Sequence, residues 1–239
     1  MDEQYVDLFL KNIIRYQVHD IFRIIVWGVV GLSVLLAGLT IIRFKAFSGY
    51  LRYYGLWIIN SAFMETAAKL LVDLDYQNLF LFHINAVIEY TLLVLIFDHL
   101  LKDIGQKGIH FILFPGIAAI LLNSIFVQTP HTFNSYSLTL ISLATVLVCV
   151  YYFFLLSDMS WTLDKKMFQA ILIGAIFILH ISSLLPILFG NHLVLMDLNE
   201  QYIVWLLRAC IVLVVKIILF YTLLSYVFTE DLQDTHYER

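Results

Sequence analysis

The chain has 239 residues, 62% hydrophobic and only 13% charged, with a net charge of -4 and a mean hydropathy of +0.89. Soluble domains run nearer half apolar and a quarter charged, so water is excluded as the main solvent for this much apolar surface. The acidic balance also excludes a nucleic-acid partner, and membrane segments with short loops leave no room for a soluble catalytic domain.

Residues 1–20 carry no basic run leading into a short apolar core and no small-x-small cleavage site, so no removable signal is expected there. Gln4, Asp7, Lys11 and Arg15 recur every three to four residues, with Tyr5, Phe9, Leu10 and Ile13 between them. That spacing predicts an amphipathic helix over 1–20 lying on the outer membrane surface. Apolar stretches then follow near 21–42, 50–72, 78–101, 110–128, 137–157, 167–190 and 202–228. Each approaches the roughly 20 residues a helix needs to cross the hydrocarbon core. Polar or turn-rich breaks separate them, among them Arg43-Phe44-Lys45, Asp73-Leu74-Asp75, Thr129-Pro130-His131 and Gly190-Asn191. Continuous rather than alternating apolar runs select helices over a barrel. The expected fold is therefore all-α, a seven-helix transmembrane bundle over 21–228 with a short polar tail over 229–239.

Basic residues set the expected direction. The first, third and fifth loops with their flanks carry Arg43, Lys45, Arg52, Lys102, Lys107, Lys165 and Lys166, whereas the second, fourth and sixth carry none. The positive-inside rule then puts the N-terminus outside and the C-terminus in the cytoplasm, against the weaker opposing signal of Lys11, Arg15 and Arg23. Cys149 and Cys210 fall inside predicted spans and read as small apolar residues rather than a disulfide.

Ionisable groups within a span cost a few kcal/mol each, so every one calls for a reason. At about 1.5 Å of rise per residue, His83, Arg208 and Glu65 lie roughly 8–10 Å below the outer face, His180 and Glu89 roughly 15 Å, and Lys216 roughly 21 Å. Asn60, Asn85, Ser182 and Ser183 fall in the same layer. Helical phase aligns Ser61, Glu65 and Lys69 on the second span, with Glu65 and Lys69 a favourable i,i+4 pair. Asn85 and Glu89 share a face of the third span, and Lys216 and Arg208 lie on neighbouring faces of the seventh. The expected assembly turns these stripes inward, Glu65 toward Arg208 and Glu89 toward Lys216, making two neutral pairs.

Such pairs can be fasteners or a site. For Glu65, Lys69 and Arg208, nearer the headgroups, fastening is the simpler reading; for Glu89 and Lys216, near the midplane, a pocket is. His83 and His180 read as helix–helix hydrogen-bond partners. Asp98 and His99 read as interfacial, and Tyr53, Tyr54, Trp57, Tyr202 and Trp205 as membrane-belt aromatics. Together the residues predict an outward-facing polar pocket of Glu89, Lys216, Glu65, Arg208, Asn85, His180 and Ser61.

That pocket predicts a sensor or receptor-like module, taking a small polar ligand from the outer side and acting on a cytoplasmic partner chain. A small-solute or proton transporter is the alternative, although Pro115, Pro130 and Pro186 all lie near span ends or in a loop rather than breaking a helix at mid-membrane. A retinal protein would use Lys216, yet Val212 stands where an acid is needed. An intramembrane zinc hydrolase needs about three histidines around one metal, and only His83 and His180 lie at useful depth. No cofactor and no metal are expected.

The stretch Asn78-Leu-Phe-Leu-Phe-His83-Ile-Asn85-Ala-Val-Ile-Glu89-Tyr90 and the run Tyr151-Tyr152-Phe153-Phe154-Leu155-Leu156 resemble a pattern in uncharacterised seven-helix proteins common in Bacteroidota. In that family a polar residue opens the third helix and a Glu followed by an aromatic falls near its middle. This chain departs from it at Lys166-Met167-Phe168, and at Arg208 and Lys216, where amides are more usual. The resemblance implies the seven-helix architecture and a bacterial inner-membrane location; it carries no established chemistry.

Overall fold

The computed structural model describes residues 3–106, 109–158, 163–193, 196 and 198–237, with side chains described for all of these but 3–18, 164, 191, 198–200 and 226–237. The elements are α1 (Glu3–Arg43), α2 (Tyr50–Asp73), α3 (Leu79–Lys102), α4 (Leu113–Leu122), α5 (Ser135–Asp158), α6 (Leu163–Leu188), the short α7 (Gly190–Leu193) and α8 (Leu198–Tyr237). A 3-10 turn at His110–Ile112 leads into α4, and a π turn at Asn123–Val127 continues it. No strand occurs among the described residues, as the continuous apolar runs require.

Six of these helices are long and apolar enough to cross a membrane, over His19–Arg43, Leu79–Lys102, His110–Val127, Ser135–Asp158, Lys165–Leu188 and Gln201–Ser225. Their outer surfaces carry exposed Leu35, Ile42, Phe114, Phe126, Leu147, Phe154, Leu185 and Val214. So broad an apolar surface is typical of contact with lipid, and the chain is a multi-pass membrane protein. The remaining long helix, α2, has 24 residues, enough length to cross, but Asn60, Ser61, Glu65, Thr66 and Lys69 make it less apolar. Val72 near its end is exposed, and so are Leu56, Phe63 and Leu70, seven residues apart. Spacing by two turns puts them on one outer stripe, opposite the buried Tyr54, Trp57 and Ile58.

Short connections make successive helices antiparallel. Gly105, at φ +76°, lets the Gln106 N–H return to the Leu101 carbonyl at 2.9 Å and ends α3. Asp75, at φ +59°, does the same after α2, where the Tyr76 N–H donates to Leu71 O at 2.8 Å. The helices close a ring in the order α1, α2, α3, α5, α6, α8, with α8 packed back on α1. Outside it, α4 lies mainly against α3, where the Tyr90 ring presses on Gly116 and its hydroxyl donates to Ile112 O at 2.7 Å. Any side chain at position 116 would overlap that ring.

The half of the ring at the α1–α2 connection is a packed core of Leu36, Tyr54, Ile96, Phe97, Leu100, Tyr152, Leu172, Ile176 and Leu219. Tyr54 and Trp57 belong to this core and not to a membrane belt; Tyr54 is 1% exposed and donates to Leu172 O at 3.2 Å. The phase of α2 within the closed ring turns them inward, while Tyr53 lies against the His99 ring. Asp98, expected to be interfacial, lies one turn from the end of α3. It is buried and ties α3 to the start of α4, accepting from Lys102 Nζ at 2.5 Å and from the His110 backbone N–H at 3.2 Å. Both cysteines are free thiols, as expected.

At the other terminus the backbone stays helical through residues expected to be a polar tail, since α8 runs to Tyr237. Likewise α1 runs unbroken from Glu3 through the first apolar stretch. The alternating side chains of residues 4–18, from which a surface helix is expected, lie outside the described side chains.

Candidate functional site

The half of the ring at the α2–α3 connection is hollow. A cavity of about 910 Å³ is lined from all six ring helices, from His19, Arg23, Asp73 and Tyr202 at its mouth down to Leu36, Trp57 and Leu219 on its floor. All seven residues expected to form a pocket, Glu89, Lys216, Glu65, Arg208, Asn85, His180 and Ser61, line it. The reason lies in helical phase. Each sits on the face its helix turns inward, because the opposite face carries the residues that meet lipid.

The charges pair differently from expectation. Lys216, 5% exposed, donates to Glu65 Oε1 and Oε2, both at 3.0 Å, and to Ser33 Oγ at 2.6 Å. Ser61 Oγ donates to Glu65 Oε1 at 3.1 Å, and Ser33 Oγ lies 2.5 Å from Glu65 Oε2. Thus α1, α2 and α8 meet at one satisfied ion pair, and the expected Glu65–Arg208 and Glu89–Lys216 pairs do not form. Side chains on a helix lean toward its N-terminus. Since α2 and α8 run in opposite directions, Glu65 leans deeper and Lys216 leans shallower, and they meet despite the separation of their backbones.

Lys69 likewise does not pair with Glu65. It contacts Asp73 and sits over the Trp27 ring, 4.8 Å from its centroid.

Glu89 and Arg208 lie across the cavity from the first pair. Glu89 Oε2 accepts from Asn85 Nδ2 at 2.9 Å, and Asn85 Oδ1 accepts in turn from Asn60 Nδ2 at 2.9 Å. Arg208 Nε donates to Ser183 Oγ at 2.9 Å, and its guanidinium is 5.9 Å from the Trp205 ring. It lies within electrostatic reach of both Glu65 and Glu89, yet among the described residues no carboxylate is close enough to be an ion-pair partner.

His180 is the unfinished contact. It is 6% exposed, and Nδ1 is 3.2 Å from Ser142 Oγ. Nε2 is buried without a hydrogen bond, 3.8 Å from Glu89 Oε1. An unmade hydrogen bond at a buried nitrogen costs about 1–3 kcal/mol. His83, by contrast, is satisfied on both ring nitrogens, by Ser124 Oγ at 2.9 Å and Thr132 O at 3.1 Å. The two histidines expected to play the same part thus differ: His83 joins α3 to the end of α4, and His180 keeps a free face toward the cavity.

Sequence reasoning missed Ser33 and Ser142. Ser33 is the lone hydroxyl between Arg23 and Thr40 in an apolar stretch, a signal that could have marked it. Tyr202 and Trp205, expected as belt aromatics, instead line the upper cavity. Among the described residues no three His, Cys, Asp or Glu side chains gather as a metal site. Chemically, the cavity offers one satisfied ion pair and one opened set of Glu89, His180 and Arg208, between apolar walls. Comparison with protein-family models, with curated proteins and with solved structures finds no match for this chain.

Proposed function

We propose that the chain is a receptor-like module with seven spans, N-terminus outside and C-terminus cytoplasmic, in a bacterial inner membrane. It takes a small polar ligand from the outer side and signals through a partner chain at its cytoplasmic face. The observation that carries this reading is the cavity of about 910 Å³, which holds a buried His180 nitrogen and an Arg208 guanidinium left without full partners. Pockets of roughly 300–1,000 Å³ with a few convergent polar groups suit small ligands. The outer apolar stripe of Leu56, Phe63 and Leu70 supports α2 as the seventh span, its polar face covered by the ring and not by lipid. Loop charge supports the direction, since the cavity mouth lies at the end without basic loops.

Transport is the competing reading. It requires the core of Leu36, Tyr54, Phe97, Tyr152 and Leu219 to part, whereas sensing requires only a change in how the helices pack around it.

Thermal-shift screening of small polar metabolites against the detergent-solubilised protein tests the proposal. At least one compound is expected to raise the midpoint of the wild type by a few degrees, as occupancy well above Kd requires, and to leave a Glu89→Gln, Arg208→Met variant unmoved. Equal responses of the two proteins to every compound would sink the pocket. Solute flux into sealed liposomes would replace sensing by transport.

A further inference from the structure

We propose that the ligand is a small zwitterion on an apolar body, its anionic end held by Arg208 and its cationic N–H end by Glu89, with His180 between them. This rests on the pocket reading above and names the ligand class for it.

Charge balance comes first. The deep cavity holds two carboxylates, Glu65 and Glu89, and two cations, Lys216 and Arg208. Glu65 and Lys216 satisfy each other directly, with Ser33 and Ser61 completing their hydrogen bonds. Glu89 and Arg208 remain apart, each held by neutral groups, Asn85 and Ser183 respectively. A ligand carrying one charge would leave that region unbalanced where solvent is scarce, at a cost of several kcal/mol. A zwitterion keeps the balance and meets both poles.

The second observation is the orphan nitrogen. His180 Nε2 is buried, unbonded and turned toward the gap, and it can donate or accept according to tautomer. A polar group seated between Glu89 and Arg208 would supply the partner it lacks.

The walls define the rest of the molecule. Phe82, Phe133 and Trp205 form an edge-to-face aromatic series, with centroids 5.2 Å and 6.4 Å apart, and Leu138, Ile141 and Leu179 line the cavity with them. A bare zwitterion would leave this surface wet, whereas an apolar body covers it at about 25 cal/mol per Å².

The test uses the full chain in phosphatidylglycerol nanodiscs, so that no zwitterionic lipid competes. L-phenylalanine and L-leucine are compared by equilibrium binding with their N-acetyl derivatives, which lose the cation, and their amides, which lose the anion. The zwitterions are expected to bind, and both singly charged series to bind at least about tenfold more weakly. Glu89→Gln should narrow the gap to the N-acetyl compounds while leaving the gap to the amides. Short-chain phosphatidylethanolamine forms the second arm, because binding by it and not by the amino acids assigns the same chemistry to a lipid headgroup. An N-acetyl or amide compound that binds as well as its parent overturns the zwitterion, even though the pocket then stands. If neither the amino acids nor the lipid binds, the zwitterion is likewise overturned, and the metabolite screen alone decides the pocket.

Discussion

Lys216 sits in hydrocarbon depth with all three ammonium protons engaged, and the arrangement makes its removal asymmetric. Lys216→Met would strand Glu65 with only Ser33 and Ser61 as partners, so it should destabilise the protein by about 3 kcal/mol. Adding Glu65→Gln removes the stranded charge, and the double variant should recover most of that loss. Denaturation of the four proteins of this cycle in detergent measures the coupling; strictly additive losses would mean the pair is not formed. The membership of this cluster was legible in the sequence, because Glu65, Lys216 and Ser61 fall on inward faces of their helices. Its pairing was not. A depth scale of 1.5 Å per residue places each side chain at its own backbone level and omits the lean toward the N-terminus. Ser33 was hidden for another reason: a hydroxyl in an apolar run usually turns to its own helix, and Ser33 Oγ does lie 2.6 Å from Val29 O as well.

Among the elements, α4 is the least secured. It leans on α3 through the fit of Tyr90 over Gly116, through Asp98 at one end and through His83 at the other. Gly116→Val should lower stability by about 1–3 kcal/mol through overpacking, and Tyr90→Ala should relieve it when the two are combined. Limited proteolysis of the α3–α4 connection reads both effects, with faster cutting in the single variant and slower cutting in the pair. Nothing in the sequence announces this contact, because a glycine in an apolar helix reads equally as a spacer or a seat for a neighbour. The helices themselves were legible, since apolar length alone marks them. Tyr54 and Trp57 were misread because aromatic residues near a helix start occur both in belts and in cores, and only the closed ring decides between these.

For the whole molecule, direction is the property that loop charge predicts and that labelling checks. In a Cys149→Ala, Cys210→Ala background, a cysteine replacing the exposed Gln77 in the α2–α3 turn should react with a membrane-impermeant maleimide on intact spheroplasts. One replacing the exposed Gln106 after α3 should react only once the membrane is opened. Reversed labelling would put the cavity mouth in the cytoplasm.

The ring closes by a contact between α1 and α8, the first and last of its helices to leave the ribosome. Until α8 is made, Glu65 has no cation across from it and Ser33 has only its own helix to face. A chain that lacks α8 therefore carries an acid on α2 with no cation from across the ring to match it. The pairing of Glu65 is possible only once the last helix of the ring is in place.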